Sequence, residues 1–244
     1  MKIAILGYGK MGKLIEEIAL KAGHEIVLKI QSHNIEDLSK LNLADVAIDF
    51  SRPQAAVQNL MACQAAGIPV VSGTTGWLED WEMVTNAFKA VAGRFFYASN
   101  FSLGVNIFFA LNRNLAQMMH KYSHIYQPAV EEIHHIHKLD APSGTGLTIA
   151  NDIIKAFPNL NNWALIAENS NINNENTLPI DAKRIGEVIG THIVTYTSNI
   201  DTLRIEHEAH NRQGFAAGAV AAAEWLVLQS AGIYNMNDFL QLEK

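Results

Sequence analysis

Three histidines, a lysine and a helix-start signal crowd into fourteen residues in the middle of the chain, Glu132-Ile133-His134-His135-Ile136-His137-Lys138-Leu139-Asp140-Ala141-Pro142-Ser143-Gly144-Thr145. Histidine titrates near neutral pH, so it can donate a proton or carry a stabilising charge; lysine donates hydrogen bonds and, where its pKa is lowered, a proton. Neither supplies hydride, which is cofactor chemistry. If the extended run before Lys138 continues as a strand, its period of two sends His135 and His137 to one face and His134 and Lys138 to the other. The second pair can then reach one substrate. Asp140 to Thr145 reads as a turn into a helix with Ser143 as N-cap. The N–H groups of Gly144 and Thr145, the hydroxyls of Ser143 and Thr145 and the helix dipole make a carboxylate or phosphate site; a plain helix cap is the simpler alternative.

Two other chemistries compete for the segment. A His-x-His strand joined by His207 and His210 is a known zinc arrangement, but Lys138 repels a divalent cation and no cysteine or clustered carboxylate closes the ligand set. The expectation is no metal. Ser143 as a hydrolytic nucleophile lacks the G-x-S-x-G elbow.

Gly7-Tyr8-Gly9-Lys10-Met11-Gly12 is a GxGxxG lying between a strand-like and a helix-like run. Its first glycine allows a tight turn, the second lets a pyrophosphate approach the backbone, and the third lets helix and strand pack closely. NAD-specific sites carry an acid after the second strand, roughly twenty residues on. Here that stretch is Leu28-Lys29-Ile30-Gln31-Ser32-His33, with Glu36 and Asp37 past the strand end. Lys29 and His33 therefore make NADPH at least as plausible as NADH, unless both are ordinary solvated residues. Gly73-Thr74-Thr75-Gly76 offers two hydroxyls to a cofactor ribose and nicotinamide amide, Arg52 is a phosphate or ribose contact or a solvated side chain, and Ser99-Asn100-Phe101-Ser102 follows a fifth strand as a hinge.

The elements that must position these groups alternate, strand then helix, through the first hundred or so residues, the pattern of a parallel sheet covered on both faces. Strands are expected at residues 3–6, 25–30, 46–50, 68–72 and 94–98, with helices after Gly12 and near Pro53. From about residue 103 the regime changes: a helix to His120, an extended run over 125–137, the helix at Ser143, and strands over 188–196 and 202–210. Residues 158–186 read as irregular, with eight asparagines between Asn159 and Asn176 marking a surface loop. An alanine-rich helix over 215–230 is expected to return to the first domain. The class is α/β: a Rossmann-type dinucleotide domain of residues 1–102 and 212–244, and an inserted α+β domain with an open mixed sheet, residues 103–211.

With 244 residues, 49% of them hydrophobic, the chain can bury a sizeable core, and its formal charge of -6 argues against a nucleic-acid or acidic membrane surface. An anionic ligand then needs a local positive cluster. The lone Cys63 suits a reducing compartment, and with no signal-peptide or membrane-span pattern the expected location is the cytoplasm.

The HHxxKxDAPSGT core within Glu132 to Thr145 closely resembles the signature of the dihydrodipicolinate reductase family. Agreement extends in order through Gly7 to Gly12, Asp49-Phe50-Ser51, Gly73 to Gly76, Asn100-Phe101-Ser102, Arg184-Ile185-Gly186, Gly190-Thr191-His192 and Arg212 to Gly218. The resemblance implies reduction of 4-hydroxy-tetrahydrodipicolinate with NADPH or NADH, on the diaminopimelate route to lysine. It implies that His134 is the catalytic histidine and Lys138 the proton donor, that His135, Ser143, Gly144 and Thr145 hold substrate carboxylates, and that Gly7 to Gly12, Gly73, Thr74, Thr75, Ser99, Asn100, Phe101, Arg212 and Phe215 meet the cofactor. It also implies a homotetramer assembled through the inserted domain's sheet. Ile133 and Gly146 stand where the family more often has alanine, departures expected to be tolerated, and the acid after the second strand is absent. The alternatives are a non-catalytic dinucleotide sensor and an oxidoreductase similar to aspartate dehydrogenase.

Overall fold

The computed structural model describes residues 1–166 and 176–242 and divides the chain into two units, Met1–Asn106 with Gln213–Lys244, and Ile107–Arg212. In the first unit, strands β1 (Lys2–Leu6), β2 (Glu25–Ile30), β3 (Val46–Asp49), β4 (Val70–Ser72) and β5 (Arg94–Tyr97) alternate with helices α1 (Lys10–Lys21), α2 (Pro53–Ala66) and α3 (Trp81–Ala90). Every strand pairing in this sheet is parallel. The strand period of two explains its double burial: Ile3 and Ile5 enter one core with Ile15, Ala19, Ala219 and Ala223, while Ala4 and Leu6 enter another with Leu60, Cys63, Val84 and Phe88. Pro53 opens α2, where its missing N–H costs nothing, and Gly67 closes it with φ of 71°.

The second unit begins within α4 (Leu103–Met119). It continues with β6 (Gln127–His134), α5 (Gly144–Ala156), β7 (Asn162–Leu165), β8 (Thr177–Arg184), β9 (Gly190–Thr197) and β10 (Thr202–Ala209). The strands form a five-stranded sheet in the order β10-β9-β6-β8-β7, with β8 parallel to β6 and β7, and β9 antiparallel to β6 and β10. One face buries Val130, Leu178, Ile180, Val194 and Tyr196 against Phe108, Ala116, Ile149, Ile153 and Phe157 from the two helices. The other face stays more open, as the alternation in β6 shows: Val130 and Glu132 are buried while Glu131 and Ile133 are half-buried.

Three sequence expectations change. The extended run stops at His134, where the chain turns with Lys138 N–H on His135 O at 3.1 Å. Part of the stretch read as irregular is regular, namely β7 and β8; residues 167–175, half of the expected Asn-rich loop, lie outside the described residues. The alanine-rich helix is α6 (Gln213–Leu226), followed by β11 (Gly232–Tyr234) and α7 (Met236–Leu240), both unforeseen; β11 adds to the first sheet beside β5.

At the end of β3 the buried Asp49 ties the loops after β3 and β4 together. Its oxygens accept from Asn59 Nδ2 at 2.9 Å, Ser72 Oγ at 3.0 Å and Thr74 Oγ1 at 2.7 Å, and Thr74 Oγ1 accepts Ser51 N–H at 2.8 Å. Burial pushes the Asp49 carboxyl up, against these hydrogen bonds. Thr74→Val leaves two buried groups short of a partner, and should cost about 2 kcal/mol and about 5 °C of melting temperature. Calorimetry checks this, and an unchanged melting temperature would mean that Thr74 does not hold the loops.

Candidate active site

The second unit gathers the segment of histidines and lysine around Glu132, which lies at 0% exposure on β6. The Glu132 oxygens accept Ser143 N–H, at 3.0 Å each, and Ser143 Oγ–H at 2.5 Å, and Arg184 Nη2 donates to Oε1 at 3.3 Å. Ser143 caps α5 as expected, its Oγ accepting Gly146 N–H at 3.0 Å. A hydroxyl has one proton and two lone pairs, so the remaining lone pair faces His192 Nε2 at 3.2 Å, which assigns the ring proton to that nitrogen. Ser143 therefore has no donor left for a ligand. The N–H groups of Gly144 and Thr145, the first two residues of α5, have no partner within their helix.

Lys138 sits on the turn after β6, its Nζ 2.8 Å from both oxygens of Asp140. Arg184 braces this turn, donating from Nε to Lys138 O at 3.3 Å and from Nη2 to Asp140 O at 2.5 Å. His134 is buried, with Nδ1 unpartnered and 3.7 Å from Glu132. Burial lowers its pKa, helped by Lys138 and Arg184 and opposed by the Glu132 charge. The half-buried His135 also has an unpartnered Nδ1, whereas His137 is out in solvent beside Glu187. The end of β6 thus cancels the face-by-face arrangement of the four groups: His134 belongs to the strand and the other three to the turn.

Glu132, His134 and His192 each offer a ligand atom within 4.8 Å of the others. Only one of these comes from the histidine run, and His207 and His210 are not among them. Glu132 already spends its lone pairs on Ser143 and Arg184, and Arg184 and Lys138 put positive charge where a cation would have to sit.

In the first unit the glycine-rich turn has the geometry that a dinucleotide needs. Gly7 has φ of 94°, and a Cβ there would lie well under 3.0 Å from Phe50 O, whereas Gly9 faces open space. The N–H groups of Gly7 and Tyr8 are spent on Ile30 O at 3.0 Å, whereas those of Gly9 to Gly12, ahead of the first α1 bond from Lys13 N–H to Gly9 O, have no partner within the helix. A pocket of about 390 Å³ adjoins this turn, lined among others by Gly7, Tyr8, Gly9, Gln31, Ser32 and Arg52. Among the described residues no carboxylate lines it. Lys29 turns to Glu16 and lies 4.8 Å over the Tyr8 ring, and Tyr8 donates to the same Glu16. Asp37 is taken by Lys40 at 2.6 Å.

The chain matches the family description "Dihydrodipicolinate reductase, N-terminus" over residues 1–101 and "Dihydrodipicolinate reductase, C-terminus" over residues 104–240. It belongs to the dihydrodipicolinate reductase family. It is 49% identical to the 4-hydroxy-tetrahydrodipicolinate reductase of Christiangramia forsetii, covering 98% of each chain. With that of Methanosarcina acetivorans it shares 36% identity over 98% of this chain and 89% of the relative. A dipicolinate-bound dihydrodipicolinate reductase from Paenisporosarcina has the same fold, with a TM-score of 0.76 at 22% identity over 98% of both chains.

Against the roles implied for this family, the structure brings His134, Lys138, Gly144 and Thr145 into one neighbourhood through β6, its turn and α5. Three other expected ligand contacts are spent on the scaffold. Ser143 serves Glu132, the buried Thr74 hydroxyl serves Asp49, and the Phe101 side chain, 1% exposed, packs in the core. Thr75 and Ser99 are exposed. Asn100 is half-buried, its Oδ1 accepting Ser102 N–H at 2.9 Å. Gly73 lies against the Phe50 ring, Arg212 is exposed, and Phe215 is half-buried in the first turn of α6. Sequence reasoning missed Glu132 and gave no separate role to Arg184 or His192. The signal was present for Glu132, an acid on the inward period of a strand facing a capped helix.

His192 is held at a pKa of about 3, first by burial and then by the charges of His134, His207 and Lys138. In the unfolded chain it returns to about 6.5, so below that pH the unfolded state takes up a proton that the folded state refuses. Stability is full above pH 6.5 and falls with pH by about 1.4 kcal/mol per unit. Between pH 7 and pH 5 the melting temperature should drop by several degrees more in the wild type than in His192→Gln. Equal drops in a fluorimetric melt would remove His192 as the cause.

Proposed function

We propose that this chain catalyses the NAD(P)H-dependent reduction of 4-hydroxy-tetrahydrodipicolinate to tetrahydrodipicolinate, on the diaminopimelate route to lysine. The relatives from Christiangramia forsetii and Methanosarcina acetivorans carry the name of that activity. The observation that supports it best is a lysine and two buried or half-buried histidines beside two free N–H groups at the start of α5. This is a cradle for a small dicarboxylate next to a proton donor, and the Paenisporosarcina enzyme is described with such a molecule bound.

On this reading the first unit holds the dinucleotide, and the second holds the substrate and makes the oligomer. A bound nicotinamide supplies the hydride. Gly144 and Thr145 hold one substrate carboxylate through their N–H groups, and His135 helps to hold a carboxylate. His134, uncharged in the free protein at neutral pH, gains a proton more readily as the dianion arrives. Lys138 would leave Asp140 and give its proton to the ring to balance the hydride that a ring carbon receives, and the 4-hydroxyl departs as water, so that hydride, proton and lost water together account for the conversion. Arg52 would meet the 2′-phosphate of NADPH, in a pocket that no carboxylate lines among the described residues, so that either cofactor could be held there. The more open face of the five-stranded sheet favours a homotetramer, and the composition with its single Cys63 favours the cytoplasm; no described helix is long and apolar enough to cross a membrane.

The deciding assay follows absorbance loss of NADPH and of NADH with freshly generated dihydrodipicolinate synthase product. Oxidation of neither would leave the dinucleotide sensor as the better reading. Lys138→Ala should lower kcat by about 10²-fold or more while leaving NADPH affinity unchanged. Equal loss of both would end its assignment as proton donor. Arg52→Ala should weaken NADPH severalfold more than NADH in a fluorescence titration; a parallel loss for both would place the 2′-phosphate elsewhere.

A further inference from the structure

The first unit contains a cation that no role above uses. Lys29 stands on β2 two positions before Gln31, the residue found where an acid would bind the ribose hydroxyls of NAD, and the strand period of two sends both side chains toward Tyr8. Gln31 donates from Nε2 to Tyr8 O at 2.7 Å, and the Lys29 ammonium lies 4.8 Å over the Tyr8 ring. Tyr8 and Gln31 both line the pocket of about 390 Å³, so Lys29 stands behind one aromatic ring of its wall.

Glu16, on α1, keeps it there. One carboxylate oxygen pairs with Lys29 Nζ and the other accepts the Tyr8 hydroxyl. The Glu16 side chain is 18% exposed, so solvent screens this pair only in part. Lys29 accordingly holds the Glu16 carboxyl below the usual carboxylate range, and Glu16 raises the Lys29 ammonium above its own. The backbone is fixed as well, because Asn34 accepts Gln31 N–H at 2.7 Å and donates to Lys29 O at 2.9 Å. Lys29 can therefore change partner only by swinging its flexible stem. Of the described residues that line the pocket, Arg52 alone is charged. A ribose with a free 2′-hydroxyl needs only a neutral partner, whereas a 2′-phosphate is drawn by every cation within reach.

We propose that Glu16 is a specificity-determining residue for the dinucleotide: by holding Lys29 behind Tyr8 it withholds a second cation from the 2′-phosphate and leaves Arg52 as the charge that favours NADPH. The pocket then discriminates less between NADPH and NADH than Arg52 and Lys29 acting together would allow. Glu16 does this without touching the cofactor, by deciding which anion Lys29 serves. The proposal rests on the reading that the first unit holds the dinucleotide at the glycine-rich turn.

The test is a fluorescence titration of NADPH and NADH against wild type, Glu16→Gln, Lys29→Met and the double variant, at low and high salt, with a melting temperature for each protein. Glu16→Gln keeps an acceptor for Tyr8 and releases the ammonium. It should tighten NADPH about fivefold or more relative to NADH, and the gain should shrink at high salt. Lys29→Met alone should leave the ratio of the two affinities at its wild-type value, because that charge is already engaged, and added to Glu16→Gln it should abolish the gain. A wild-type ratio in Glu16→Gln, a gain that survives in the double variant, or a selective loss of NADPH in Lys29→Met would overturn the proposal. If Glu16→Gln does not fold, Glu16→Ala carries the same expectation and is judged by the same outcomes. A wild type that binds neither nucleotide would overturn both this proposal and the reading beneath it, whereas a wild type that binds them with a ratio unmoved by Glu16 would overturn this one alone.

Discussion

A buried carboxylate at the end of a β-strand is the constraint on which the second unit depends. Desolvating Glu132 costs several kcal/mol unless its lone pairs are filled, and in this fold they are filled only if the cap of α5, the guanidinium of Arg184 and the end of β6 arrive together. The same requirement shapes the first unit. Asp49, also at 0% exposure, gathers Asn59, Ser72 and Thr74, and through Thr74 the backbone of Ser51, at the mouths of two parallel strands. Each unit thus spends one unexposed acid to make its loops rigid where a ligand would be held.

The consequence for chemistry is a division between polar groups that build the site and those left to use. Ser143 and Thr74 present hydroxyls in motifs that suggest ligand contact, yet both are consumed by an acid. Gly144, Thr145, Lys10 and Met11 present backbone N–H groups at helix starts, where the helix itself cannot satisfy them. An acidic protein with a formal charge of -6 can accommodate anions at these places because the attraction is local: a helix start, a lysine and an arginine outweigh a distant surplus of screened carboxylates.

Where the sequence read well, the signal was local and strong. Strand β2 runs over Glu25–Ile30 as expected, and Ser143 caps α5 through the hydroxyl that makes serine a good N-cap. Where it failed, a distant partner decides the outcome. Strand β8 contains Pro179 and carries polar residues through Lys183 and Arg184, so it lacks a strand signature, and it forms because β6 and β7 flank it. The three-residue β11 has too little length for any period and exists because β5 offers it an edge. The run through His134 keeps an extended pattern in sequence, but it breaks after His134, where Ile185 N–H takes the His134 carbonyl at 2.8 Å and the chain turns.

The sequence by itself determined which groups are present: the glycine turn between strand and helix, the histidines and lysine before a capped helix, and the absence of an acid after the second strand. Those follow from residue type and short-range geometry. Only the tertiary structure decided which of those groups remain unsatisfied. Whether Ser143 faces a ligand or Glu132, and whether Lys29 faces a phosphate or Glu16, depend on side chains more than ten residues away in sequence, brought near by the fold, and a buried lone pair or donor must find a partner there.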